Sequence, residues 1–425
     1  MKVYLRTFGC RANHYDSESV RAMIEGAGHD VVANAIDADV AIFNSCAVTA
    51  DAEADLRQAV RRAAREQPRL QSIVMGCAAT RPARPNGTDV AALPTVRHVV
   101  PGAELESIAA ALDLPPAMVR LRAARQTGAR ALLRVQDGCD EHCTFCATTL
   151  ARGANRSRPI EELIGEAERL ADAHPEIVIT GIHIGSYGDD IGSSLGALLE
   201  ALVARVGNVR FRLSSLEATE VDDRLAELLT GAPERVAPHL HAPLQSGADR
   251  MLKRMGRHWY TASSYASSIE SLARKATVFG LGADVITGFP GETDDDHRQT
   301  VALVQRLPFT YLHVFPFSLR PGTAAEHLDG RVRTEVAQRR AAELRELAER
   351  KAEVYRASRV GGHADCVVIR GGRGSAEGVG EVLTEDYLSA LPGDATLPRR
   401  ARYAARLERQ GTQLVAHSKG SESRL

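Results

Sequence analysis

Cys139, Cys143 and Cys146 stand in the spacing C-x3-C-x2-C, with His142 and Phe145 between them. Thiolates this close can each ligate one iron of a [4Fe–4S] cube, which leaves the fourth iron open to a small molecule. The same cysteines could instead be disulfide partners or part of a zinc site. A structural zinc closes with four ligands, and His142 is adjacent to Cys143 rather than spaced from it as a ligand. Disulfides belong to oxidising compartments. Three further cysteines, Cys10, Cys46 and Cys77, each follow a strand-like run within one to three residues, and Gly9 and Gly76 precede two of them. In a parallel sheet all strands end on one edge, and open α/β folds bind ligands there. These cysteines are therefore expected to converge. The alternative is three separate buried thiols.

The elements that must place these residues are alternating strands and helices. Over residues 1–105, runs at Val3, Val40 and Ser72 read as strands, and Ser17 to Ala27 and Asp51 to Arg65 as helices. That alternation implies a doubly wound α/β domain. Residues 106–130 read as a linker. Over residues 131–357 about six strand–helix units follow, consistent with a (β/α)6 partial barrel whose site lies at the strands' C-terminal ends. Glycines and polar residues gather at those ends, among them Gly181, Ser214 and Gln245. Arg331 to Arg359 reads as a long charged helix. Residues 358–425 change to short strands and turns, a small β-barrel with a frayed tail. Arg399, Arg400 and Arg402 belong to an arginine cluster there.

Composition sets limits on function. A chain of 425 residues needs more than one core. A net charge of −1 gives no global basic field, so contact with nucleic acid must rest on local patches. No apolar run reaches membrane-span length and the start reads as a strand, so a cytoplasmic location with reduced thiols is expected. His183, His239 and His241 lie near strand ends; each is a candidate ligand or acid–base group, with a structural histidine the favoured reading. Cys366 reads as a buried strand residue.

These residues together resemble the methylthiotransferases of the radical-SAM superfamily. The resemblance runs through Phe8 to Asn13, Tyr15 to Glu18, Asn44 to Thr49, Gly76-Cys77, Val135 to Cys146, Arg152-Gly153, Thr180 to Gly188, Pro243 to Gly247, Gly288 to Thr293 and Arg320 to Thr323. Where members usually carry Pro and an aromatic after the third cysteine, this chain has Thr149 and Leu150, and its segment from Arg81 to Pro94 is short. The resemblance implies two [4Fe–4S] clusters, one on Cys139, Cys143 and Cys146 that binds S-adenosylmethionine, and an auxiliary one on Cys10, Cys46 and Cys77 that supplies or carries sulfur. It implies a C-terminal barrel of TRAM type. It places S-adenosylmethionine against Phe145, Gly181, Ser214, Gln245 and Ile286, and the tRNA backbone against Arg399, Arg400 and Arg402. The implied partners are a tRNA anticodon stem-loop, a low-potential electron donor of flavodoxin or ferredoxin type, and a sulfur source. The implied reaction adds a methylthio group to C2 of N6-threonylcarbamoyladenosine at tRNA position 37, because the stretch after Cys46 and the run Gly181 to Gly188 look most like that branch. Other branches act on isopentenyladenosine in tRNA or on an aspartate of a ribosomal protein. Functions of another class are a non-catalytic iron–sulfur electron carrier and an RNA-binding protein.

Overall fold

The computed structural model describes residues 1–46, 50–80, 89–120, 122–371 and 380–418. Residues 47–49 of the Asn44–Thr49 motif, most of the Arg81–Pro94 segment and the tail lie outside the described residues.

The first unit holds β1 (Lys2–Thr7), α1 (Arg11–Gly26), β2 (Asp30–Val32), β3 (Val40–Ser45), α2 (Ala50–Glu66), β4 (Gln71–Gly76), β5 (Val96–Pro101) and α3 (Leu105–Ala111). Its sheet has the order β2-β1-β3-β4-β5, and every pairing is parallel. Strands β3 and β4 are buried along nearly their whole length. That matches their continuous apolar runs, which two covered faces require. Helix α1 begins at Arg11, directly after Cys10, and not at Ser17; its first two turns bury polar Asn13, Asp16 and Ser17, so apolar spacing did not mark it. The first unit also runs past residue 105, because Ile108, Ala109, Leu112 and Leu114 share a core with Val3, Ile24 and Ile73.

The second unit holds β6 (Ala131–Arg134), β7 (Gln136–Asp137), α4 (Thr148–Arg152), β8 (Arg156–Ser157), α5 (Ile160–Ala171), β9 (Glu176–Thr180), α6 (Leu195–Arg205), β10 (Arg210–Leu213), α7 (Asp223–Gly231), β11 (His239–His241), α8 (Asp249–Arg254), α9 (Ala262–Lys275), β12 (Gly280–Thr287), α10 (Asp294–Arg306) and β13 (Tyr311–Pro316). Two parallel sheets, β6-β9-β10 and β11-β12-β13, are joined by parallel bridges between Phe211 and Val236 and between Ser215 and His241. The result is six parallel strands with β6 and β13 at its two ends. The large core lies between strands and helices, where Leu133, Ile177, Phe211, Leu240 and Val285 meet Leu163, Leu199 and Ile269. Alternate strand residues point the other way, into the lumen.

Helix α11 (Thr334–Arg359) packs along β13. It leads to β14 (His363–Arg370), β15 (Glu381–Leu383), β16 (Ser389–Pro392), β17 (Arg402–Gln410) and β18 (Gln413–Ser418), which close a barrel in the order β14-β15-β16-β18-β17. The arginine cluster is therefore largely strand β17. Its alternation buries Ala405 and Leu407 while Ala404, Arg406 and Glu408 face outward, a period of two hidden by the charge.

Candidate functional site

Strands β1, β3 and β4 are neighbours, with Thr7 opposite Asn44 and Ser45 opposite Gly76. Cys46 and Cys77 follow β3 and β4 directly and Cys10 comes three residues after β1. Strands stand about 4.8 Å apart, so the three thiols meet at one sheet edge. Gly9 lies in the left-handed region (φ +100°), and a Cβ there would sit 2.5 Å from Cys46 Cβ. No other residue leaves that space. Asn13, fully buried, organises the edge. Its Nδ2 donates to the carbonyls of Phe8 (3.0 Å) and Ser45 (2.8 Å), and its Oδ1 lies 3.7 Å from Cys10 Sγ and 4.0 Å from Cys77 Sγ. Arg152 Nη2 donates to the same Oδ1 (2.8 Å) and to Asp16 (2.7 Å). Burial pushes the Cys77 thiol up, and the Arg152 guanidinium pulls against it.

The second triad lies in the loop between β7 and α4, where two contacts shape the chain. Gly138 (φ +76°) lies so close to Ala154 that a Cβ would collide with its carbonyl, and Cys139 N–H donates to Gly153 O (3.0 Å). Thr144 N–H donates to Met255 O (2.9 Å) and its hydroxyl to Arg254 O (3.0 Å). Each sulfur has a nitrogen beside it. Arg257 Nη1 donates to Cys143 Sγ (3.4 Å), Thr148 N–H to Cys146 Sγ (3.4 Å), and His183 Nδ1 is 3.9 Å from Cys139 Sγ. Arg257 is held by Glu217 and by Tyr260 Oη (2.9 Å) and stacks over Trp259. Burial pushes the Cys143 thiol up to about 12, against the pull of Arg257. Burial opposes a charge on His183, but bonds to Cys139 and Glu220 outweigh it and lift the ring to about 10.

These donor sets fit iron–sulfur clusters. All seven cysteines are free thiols. Among the described residues, the one set of three ligand atoms within 4.8 Å of one another is His241, Asp284 and His313; neither cysteine triad is that compact. A tetrahedral zinc with bonds of about 2.3 Å needs sulfurs about 3.8 Å apart. Cluster thiolates sit wider and take N–H···S bonds, which is what Arg257 and Thr148 provide. Buried thiols whose ionisation is opposed need bound metal to balance their charge.

The other residues singled out by sequence divide. Phe145 and Ile286 pack on one apolar patch with Phe289, whose ring meets Phe145 edge-on at 6.2 Å. Ile286 N–H donates to Gln245 O (2.9 Å), and Gln245 sits at φ +63°, a strained position for a side chain. Ser214 is buried at the end of β10 and bonds back to Ile179 O. At Gly181 a Cβ would lie 2.8 Å from Gln136 Oε1, which accepts from Ile182 and His183 N–H. Thr149 and Leu150 lie within α4, with Leu150 exposed. His239 is buried beneath Tyr387, and Cys366 is buried in β14.

The three C-terminal arginines differ in their partners. Arg400 donates to Gln126 O (2.5 Å) and Gly128 O (3.0 Å), and Arg402 to Asp365 (2.5 Å) and Glu234 O (2.6 Å). Both tie the C-terminal barrel to the rest of the chain through backbone carbonyls, while Asp365, on the barrel's own β14, also holds Arg402. Arg399 is exposed, with Nε bonded to Ile369 O (3.2 Å). Asn13, Asp16, Arg152 and Arg257 were not assigned from sequence. Three of them stood in the quoted motifs, and their roles depend on a domain contact that local spacing does not encode.

Two family models match the chain. One, described as Uncharacterized protein family UPF0004, covers residues 2–93, and the other, the Radical SAM superfamily, covers residues 133–304. The chain is 35% identical to the threonylcarbamoyladenosine tRNA methylthiotransferase MtaB of Thermotoga maritima, covering 84% of each chain. It is 35% identical to the protein of the same name in Bacillus subtilis, over 83% of this chain and 81% of that one. A solved radical S-adenosylmethionine methyltransferase, TsrM, from Kitasatospora setae shares the fold, with TM-score 0.56 and 14% identity over 76% of this chain and 74% of that one.

Proposed function

The chain belongs to the methylthiotransferases of the radical-SAM superfamily, and on that basis we propose that it converts N6-threonylcarbamoyladenosine of tRNA to its 2-methylthio derivative. One observation carries the reading: two separate cysteine triads, each built for a cluster, stand on the two domains that Arg152 ties together. When bound, the clusters and S-adenosylmethionine supply the electron, the radical and the sulfur that an unactivated ring C–H requires, since no base can remove such a hydrogen. The chain's own residues position and shield. Cys139, Cys143 and Cys146 hold one cluster and Cys10, Cys46 and Cys77 the other. Phe145 and Ile286 wall the adenine side of S-adenosylmethionine, and Gly181, Ser214 and Gln245 line its ribose and methionine side. Arg257 and His183 set the charge around the first cluster, and Arg152 and Asn13 that around the second. Arg399 faces the tRNA backbone. A low-potential electron donor of flavodoxin or ferredoxin type and a sulfur source complete the partners. No described helix is long and apolar enough to cross a membrane, in keeping with a cytoplasmic place of work.

The test separates the triads. Replacing Cys139, Cys143 and Cys146 with Ala should end cleavage of S-adenosylmethionine. Replacing Cys10, Cys46 and Cys77 should spare cleavage, stop methylthio formation on threonylcarbamoyl tRNA and halve the iron from about eight to about four per chain. Methylthio product from the N-terminal triple variant would sink the sulfur role of that triad.

A further inference from the structure

The lumen face of β11 to β13 carries a polar cluster that neither cysteine triad uses. Asp284 Oδ1 is 3.1 Å from His241 Nε2 and 3.2 Å from His313 Nδ1. His241 Nδ1 is 3.1 Å from Tyr311 Oη, which also bonds His239 (2.8 Å). Asp284 therefore orients both rings, and the two imidazoles hold its carboxyl well below the usual range despite burial. His241 is buried, whereas the His313 side chain is 54% exposed. One strand step above His313, on the same face, Phe315 is 45% exposed, among the few large apolar side chains of the fold left so open.

The cluster has a defined depth. Phe315 pairs with Ile286, which packs with Phe145 beside Cys146, so this layer borders the first cysteine triad. Tyr311 lies one layer below His313. Beneath it Tyr387 stacks on His239 (4.4 Å) and accepts from Arg11, the residue after Cys10. The polar cluster thus lies between elements tied to the two triads, where the atom undergoing reaction must sit.

We propose that Phe315, His313, Asp284 and His241 form the pocket for the modified base. The purine stacks on Phe315, and the His–Asp–His cluster hydrogen-bonds the hydroxy-acid and urea groups of the arm on its N6. This rests on the substrate reading above and deepens it to residues. The dimensions agree: Phe315 and His313 are about 6.6 Å apart along the strand, comparable with the reach of such an arm. Exposed aromatics are the usual platform for a base turned out of its strand. The chemistry also supplies selectivity. An isopentenyl arm would strip water from two imidazoles and a carboxylate and return no hydrogen bond, a penalty that a matched polar arm avoids.

The experiment uses the full chain with both clusters reconstituted, and compares tRNA bearing threonylcarbamoyladenosine with tRNA bearing isopentenyladenosine. Wild type transferring methylthio to the second substrate and not the first would overturn the substrate reading itself, and the pocket with it. With wild type active on the first, His313→Leu and Asp284→Asn should each lower kcat/KM for it by about tenfold to a hundredfold and shrink the preference between the two tRNAs. Phe315→Ala should lower kcat/KM for both, and Phe315→Tyr should restore it. His313 and Phe315 are half exposed, so unchanged iron content and circular dichroism will show that those variants fold. Equal kcat/KM and equal preference in His313→Leu and Phe315→Ala would overturn the pocket alone. So would elemental analysis that finds one divalent ion per chain beyond cluster iron, lost in Asp284→Asn, because these side chains would then be metal ligands.

Discussion

Arg257 holds its guanidinium between a carboxylate and a sulfur. Glu217 is buried and burial raises its pKa, so its ionised form depends on Arg257. Tyr260 and Trp259 fix the plane of the guanidinium, and the remaining N–H reaches Cys143. Arg257→Met removes both functions. It leaves a buried carboxylate without its cation, which costs about 3–5 kcal/mol of stability, to be read from denaturant unfolding under anaerobic conditions. It also removes an N–H···S bond, so the cluster on Cys139, Cys143 and Cys146 should become harder to reduce. Potentiometric titration followed by EPR measures that shift, and an unchanged potential would leave Arg257 a purely structural residue. Arg152 has the parallel position at the other triad, fully buried against Asp16 and Asn13. In both places a cation compensates the negative charge that cluster thiolates bring into the interior.

At the scale of elements, the far end of the connection after α3, beyond the apolar contacts of Leu114, Met118 and Val119, is seated by backbone contacts. His174 Nε2 accepts from Gln126 N–H (3.1 Å), and its Nδ1 donates to Ala129 O (3.2 Å). Burial, aided by nearby Arg400, lowers the His174 pKa to about 4, from an ordinary value of about 6.5. The folded state therefore favours the neutral ring. This contribution is complete above about pH 6.5 and is lost as pH falls towards 4, because the unfolded chain binds the proton first. Wild type should lose about 1–2 kcal/mol more than His174→Gln between pH 7 and pH 5; equal losses would remove His174 from the seam. This seam also shows what the sequence left hidden. The parallel sheets, the β/α series and the shared sheet edge of Cys10, Cys46 and Cys77 were legible, because strand–helix alternation and a cysteine after each strand are local patterns. Strand β17 was masked by its arginines, and the start of α1 by the buried polar residues of its first two turns. The partners of Asn13, Arg152 and Arg400 come from residues 32 to 274 positions away, and no local period reports such a contact.

In the whole molecule, the C-terminal barrel closes the bottom of the partial barrel as well as following it in sequence. Its loop from Thr384 to Tyr387 enters the lumen where β12 begins. Gly280 has no side chain there, and a Cβ would lie 2.0 Å from Asp386 O. Arg212, fully buried with Arg210 around Glu176, donates to the carbonyls of Thr384 and Glu385 (3.0 Å each). Arg359, at the end of α11, pairs with Asp386 (2.7 Å) and Glu385 (2.8 Å). A module that only carried RNA contacts would not bury its charges in another domain. Asp386→Ala removes one of the two carboxylates on Arg359 and should cost about 1–3 kcal/mol, splitting one cooperative unfolding transition into two, while the slope of log affinity for tRNA against log salt stays that of wild type. Arg399→Glu should do the reverse, leaving stability within about 0.5 kcal/mol and flattening that slope by about one unit. A single unchanged transition in Asp386→Ala would show that the loop only rests against the lumen. An unchanged slope in Arg399→Glu would take Arg399 out of the path of the tRNA backbone.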